Sequence, residues 1–172
     1  ANTDRLGRLV RKLLELARAD VMQPASESVD AGQVMAAVAA RYREQGLAVT
    51  LDASGSQVAV AIDGDTLDSV LSNLLDNARQ HGRRDVQVWL GARPDEDSVV
   101  LTVRDNGPGI SDANAARVFE PFFTTARSQG GTGLGLAVVR ALVRAHGGDV
   151  WLGNSGEHGS TFHVRLPRAT ER

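Results

Sequence analysis

Asn73 and Asn77 stand four residues apart in Asn73-Leu-Leu-Asp-Asn77-Ala-Arg-Gln80-His81, so on a helix both carboxamides leave from one face. An amide oxygen suits magnesium, which takes oxygen donors and shares its shell with water and phosphate. The same pair is also what a solvated helix face carries. Asp105-Asn-Gly107-Pro-Gly109-Ile110 follows an alternating apolar stretch. Its glycines allow close backbone approach and positive φ, and its carboxylate can accept from an exocyclic amine such as that of adenine. Taken alone it is a turn. Phe119-Glu-Pro-Phe122-Phe123-Thr-Thr125 holds three of the four phenylalanines, which suits either a lid packing down on a ligand or a small satellite cluster. Gly130-Gly131-Thr132-Gly133-Leu134-Gly135-Leu136 runs into a helical pattern, and successive N–H groups at a helix start form an anion site. The spacing is not GxGxxG and no strand directly precedes it, so a Rossmann site is excluded.

The elements that must position these groups are legible as periodicity. Asp4 to Asp20 is helical: Leu6, Val10, Leu13 and Ala17 are spaced four-three-four, widened by Leu9, Leu14 and Leu16. So wide an apolar face on so short a helix must pack, either on its own domain or in a helical hairpin or dimer bundle. Val21–Ser28 reads as a linker, and a second helix runs from an Asp30 cap to Gln45. Strand patterns at 47–51 and 58–62 precede a strongly amphipathic helix from Asp65 to near Gly82. Strands at 86–90 and 99–103 pair through a polar turn at 93–97. A long irregular segment, 107–133, holds one short helix at 112–118. A last helix, 133–146, and strands at 150–152 and 161–166 complete an α/β sandwich with helices on one face of a mixed sheet.

A chain of 172 residues with 42% hydrophobic and 23% charged residues makes one globular core plus a short appendage. A net charge of −2 gives no bulk attraction for nucleic acid or anionic membranes. With no cysteine, disulfides, thiolate nucleophiles and cysteine-ligated zinc are excluded. No apolar run approaches the roughly 20 residues needed to cross a bilayer. Lys12 is the chain's one lysine and no glycine loop precedes it, so a P-loop is excluded and nucleotide chemistry would need another cradle.

Together, in this order and at these separations, the four segments resemble the asparagine, first glycine, phenylalanine and second glycine boxes of the sensor histidine kinase ATP-binding domain. The resemblance covers about Ser28 to Pro167, and Gly159-Ser-Thr161-Phe-His-Val-Arg-Leu-Pro167 is similar to the family's last strand. It implies the Bergerat (GHKL) fold of the gyrase, Hsp90 and MutL ATPases: a two-layer α/β sandwich with a mixed, mostly antiparallel sheet. One helix of a dimerisation hairpin precedes it. The implied division is hairpin helix 1–22, linker 23–29, ATP-binding domain 30–168 and tail 169–172.

The resemblance also implies roles. Asn77 ligands the magnesium that bridges the ATP phosphates, and Asn73 lies near the metal or its water. Asp105 accepts from the adenine amine, with Gly107 and Gly109 letting the base approach and Ile110 and Leu136 walling the slot. Residues 119–132 form a lid that includes Arg127 and Thr132. Gly131, Gly133, Leu134 and Gly135 turn backbone toward phosphate, and Thr161 places a hydroxyl near the base. Where many relatives carry a phosphate-reaching lysine this chain has Gln80, a neutral amide, leaving Arg79 or Arg127 to supply the charge. His81 replaces a frequent tyrosine and can still stack on or hydrogen-bond a nucleotide. The four histidines, His81, His146, His158 and His163, do not match the family's phosphoacceptor, which stands on the first hairpin helix. The implied protein is thus the Mg–ATP-binding catalytic half of a two-component kinase that does not label itself alone. Its partners are its own phosphoacceptor domain and a response regulator, with no nucleic acid or membrane contact. Its setting is cytoplasmic, with the whole kinase soluble or anchored in the inner membrane. Two other readings share the fold: a degenerate interaction module, which Gln80 favours, and a stand-alone ATPase or serine kinase, which the leucine-rich first helix opposes.

Overall fold

The computed structural model describes residues 2–23, 27–52, 57–125 and 131–170. The elements run α1 (Asn2–Val21), β1 (Val29–Asp30), α2 (Ala31–Glu44), β2 (Ala48–Leu51), β3 (Ala59–Val60), α3 (Gly64–His81), β4 (Gln87–Asp95), β5 (Ser98–Asp105), α4 (Asp112–Ala115), α5 (Gly135–Ala145), β6 (Asp149–Gly156) and β7 (Gly159–Pro167). The main sheet has the order β2-β4-β5-β7-β6, with β2–β4 parallel and the other pairs antiparallel. Helices α2, α3 and α5 cover one face, giving the two layers that the sequence pattern predicts.

Alternation along the strands builds the core. Val88 and Leu90, then Val99, Leu101 and Val103, then Phe162, Val164 and Leu166 turn to the helices and are buried. Leu67, Val70, Leu71, Leu74 and Leu75 of α3 and Val138, Val139, Leu142 and Val143 of α5 meet them. Each such side chain contributes roughly 1.5–3 kcal/mol by leaving water. Opposite-parity residues form the solvent face, where Arg104 lies 4.2 Å over Trp89 and His163 stacks on Trp151 at 5.3 Å. These cross-strand pairs shield the uncovered side of the sheet.

Several strands differ from expectation. The β4–β5 ladder runs on to Asp95 opposite Ser98, so the turn is only Glu96 and Asp97, with Glu96 at φ 53°. Pro94 is tolerated in β4 because β2 pairs only with residues 87–90, leaving no ladder partner for its missing N–H. The stretch expected at 58–62 shortens to β3 and pairs with β1 outside the main sheet. Val29, expected in the linker, is therefore in a strand. The last two strands are longer than the pattern suggested, and a bulge lies between Leu152 and Ser155.

The first helix packs along α5. It buries Ala19 and rests Leu16 and Met22 on the core. Leu6, Val10, Leu13 and Leu14 remain 40–60% exposed.

Candidate functional site

A cavity of about 270 Å³ opens where α1, α3, the end of β5, the start of β7, the 108–125 segment and the start of α5 converge. That is close to the lower bound of small-molecule sites, roughly 300 Å³. From α3 come Asn73, Asn77, Gln80 and His81. The helix is aimed by its cap: Asp63 accepts from the Thr66 N–H at 3.0 Å and from its hydroxyl, fixing where the first turn begins. Its apolar stripe then locks the rotation, and the carboxamides lie beside that stripe on the cavity side. Asn73 is buried at 2% exposure. Its Nδ2 donates to the Ser69 carbonyl at 2.8 Å, and its Oδ1 accepts from Lys12 of α1. The Asn77 carboxamide lines the cavity with no hydrogen-bond partner among the described residues.

Asp105 ends β5, is 8% exposed and lines the cavity. Burial raises its pKa, and N–H groups of Gly107 and Ser160, together with nearby His81, offset part of that rise. The Gly107 N–H donates to Oδ1 at 2.9 Å. Burial also lowers the pKa of His81, against the pull of Asp105, and its Nδ1 stands 3.2 Å from the Thr125 hydroxyl. Gly109 has φ 77°, and a Cβ there would lie 1.9 Å from the Gly156 carbonyl. Only glycine lets this turn close against β6. Ile110 is then clamped by Ser155, whose Oγ accepts from its N–H at 2.6 Å and donates to its carbonyl at 3.2 Å. Ile110, Val118 and Leu136 give the cavity its apolar wall.

The glycine segment works differently from a simple run. Gly133, at φ 75°, meets Phe122: the Phe122 N–H donates to the Gly133 carbonyl at 2.8 Å, and a Cβ on Gly133 would fall 2.5 Å from the Phe122 backbone. This interlock brings the aromatic segment to the start of α5. Phe119 and Phe123 pack on the core, Phe119 edge-on to Phe162 at 6.1 Å, while Phe122 stays half exposed. The α5 start has no side-chain cap of its own, and the Thr132 hydroxyl accepts from the Leu134 N–H at 3.3 Å. Thr132, Gly133, Gly135 and Leu136 all line the cavity. Position 135 abuts Asn73, whose Oδ1 would lie 3.5 Å from a Cβ there.

Several expected residues stand elsewhere. Gly107 supports Asp105 and is not in the lining. Gly131 and Leu134 are buried and are not in the lining. Arg127 lies outside the described residues. Thr161 pairs with Arg104 on the solvent face of the sheet, whereas Ser160 pairs with Asp105 and lines the cavity. Strand alternation therefore gives the hydroxyl position to Ser160, one residue from the expected one. Arg79, one of two candidates for the charge missing at Gln80, bonds Asp76 at 2.9 Å and Gln45 at 3.0 Å and is outside the lining. Among the described residues, the permanent cations that line the cavity are Arg8 and Lys12 of α1, which the sequence reading left out.

One part of this cavity offers a buried acceptor between glycine turns and apolar walls. Another offers amides, the N–H groups that open α5 and cations. Such a donor set suits a flat base carrying an exocyclic amine joined to an anionic tail, with an oxygen-ligated divalent ion at Asn77.

Comparisons with known proteins agree. A family model described as histidine kinase-, DNA gyrase B- and HSP90-like ATPase matches residues 62–170. The signal transduction histidine-protein kinase AfsQ2 of Streptomyces coelicolor is 37% identical over 174 residues, covering 98% of this chain and 32% of that protein. The probable sensor histidine kinase HK of Mycobacterium tuberculosis is 37% identical over 169 residues, covering 96% and 44%. The chain thus spans less than half the length of these curated relatives. Among solved structures, full-length ShkA in complex with AMPPNP superposes with a TM-score of 0.83 at 31% identity, over 98% of this chain and 37% of that one. The mycobacterial sensor histidine kinase MprB gives 0.70 at 28% identity, over 84% and 99%.

Proposed function

The chain belongs to the histidine kinase-, DNA gyrase B- and HSP90-like ATPase family, and from that premise we propose that it is the ATP-binding catalytic half of a two-component sensor kinase. It binds Mg–ATP and donates the γ-phosphoryl group to a histidine of the kinase's dimerisation domain, from which a response regulator takes it. The observation that carries this reading is the convergence of Asp105, Asn77 and the α5 start on one cavity. The AMPPNP held by ShkA supports a nucleotide as occupant.

Asp105 accepts from the adenine amine, and Ile110 and Leu136 exclude water from the faces of the base. Ser160 stands beside Asp105 and stabilises its charge through backbone N–H. Asn77 offers its carboxamide oxygen to magnesium, which neutralises phosphate charge when bound. The N–H groups opening α5 meet phosphate oxygens. Phosphoryl transfer needs positioning and electrostatics more than covalent help, and these groups supply both. Transfer is favoured over hydrolysis because position 73 carries no carboxylate to take a proton from water, and its amide is tied to Lys12 and the Ser69 carbonyl.

Calorimetric titration of ATP with and without magnesium, on this chain and on Asn77→Ala, tests the reading. Magnesium-dependent binding that disappears in the variant is the expected result. A folded wild type that binds no ATP would overturn it in favour of a degenerate interaction module.

A further inference from the structure

We propose that the positive charge absent at Gln80 is supplied from the first helix, with Arg8 and Lys12 completing the phosphate side of the nucleotide site. The inference rests on the nucleotide reading above and names groups that the reading leaves out. Arg8 and Lys12 are four residues apart, so both project from one face of α1, and both line the cavity. Lys12 reaches across to donate to Asn73 Oδ1, beside the start of α5. Arg8 has no carboxylate partner among the described residues, and the nearest for Lys12 is Glu15 at 4.0 Å. The chain's single lysine is therefore committed to this cavity.

Among the described residues, which do not include Arg127, elimination strengthens the assignment. Arg79 is spent on Asp76 and Gln45 and lies over the Tyr42 ring, away from the cavity. His81 is held toward its neutral form by burial. The acidic groups in the lining are Asp76, bonded by Tyr42 and Arg79, and Asp105. Without Arg8 and Lys12, the described lining has no permanent cation to offset a triphosphate. Because the two share one helix face, a rotation or lift of α1 withdraws both charges at once. Nucleotide affinity then reports where α1 sits.

Calorimetry with Mg–ATP and with adenosine tests this on wild type, Arg8→Gln, Lys12→Gln, the double variant, and the double variant carrying Gln80→Lys. A charged hydrogen bond to phosphate is worth roughly ten- to a hundredfold in affinity. The double variant should therefore bind ATP at least about tenfold more weakly, with a flatter salt dependence, while adenosine binding stays unchanged. Gln80→Lys should restore part of the loss. ATP affinity in the double variant equal to wild type would show that α1 supplies no useful charge. Tighter ATP binding would show that its cations obstruct the site, which also overturns the inference. A wild type that binds neither ATP nor adenosine removes the nucleotide reading itself, and this inference with it.

Discussion

Asp105 is a residue whose site conflicts with its own stability. Burial raises its pKa, so the folded protein holds the proton more readily than the unfolded chain does. Stability at this position is therefore greatest below the ordinary carboxylate value and falls as pH rises toward the raised one. In the function proposed above, this same carboxylate is the acceptor for the adenine amine. Asp105→Asn removes that charge while keeping one acceptor for the Gly107 N–H. The melting temperature of the variant relative to wild type should rise between pH 4 and pH 7, read by parallel thermal melts. Nucleotide binding should be lost over the same range, because the Asn oxygen stays on the Gly107 N–H and its NH2, a donor, then faces the adenine amine. A variant that melts increasingly below wild type as pH rises would mean that the hydrogen bonds outweigh desolvation. Under the proposed function, Asp105 is a group kept for binding at a cost to folding.

Helix α3 shows how one element transmits sequence into site geometry. Asp63 is half shielded: burial pushes its pKa up, but the Thr66 hydroxyl and N–H and the facing His146 outweigh this, and the net shift is downward. That cap contributes at neutral pH and is lost as pH falls through the carboxylate range. Asp63→Ala should cost about 1–2 kcal/mol, the usual value of a lost cap. For a chain of this size that is a melting temperature lower by roughly 3–6 °C, with the deficit shrinking toward pH 3. The helices were legible from sequence because caps and 3.6-residue stripes are local signals. Strand lengths were not, since the β4–β5 extension depends on a partner ladder and a permitted Pro94. The same limit explains Ser160. Facing across a sheet is set by register with Asp105, and the β6–β7 bulge leaves no sequence signal that fixes it. Asn77, Asp105, Gly109, Gly133 and Gly135 could be placed together from sequence because they sit in local motifs. Arg8 and Lys12 could not, because which face of α1 meets α5 is decided by tertiary packing.

At the scale of the molecule, the site belongs to no single layer. Its walls come from the first helix, the central helix α3, two neighbouring strands and the start of α5, joined through the Phe122–Gly133 interlock. Unfolding scatters all of these groups, so a ligand that bridges them binds only the native state and stabilises it by mass action. At a hundredfold excess over its dissociation constant, Mg–ATP should add about 2.7 kcal/mol. That corresponds to a melting temperature raised by roughly 5–10 °C for a chain of this length. Thermal melts can also separate the parts of the site without measuring activity. On the proposed reading adenosine engages the Asp105 side alone, so it should give a smaller rise that is indifferent to magnesium. Asn77→Ala should keep the adenosine increment while losing the further increment that magnesium adds to ATP. If magnesium raised the ATP increment equally in both proteins, the metal would be held by groups other than Asn77. In that case the elements assembled around the cavity would need another divider of labour between base and phosphate.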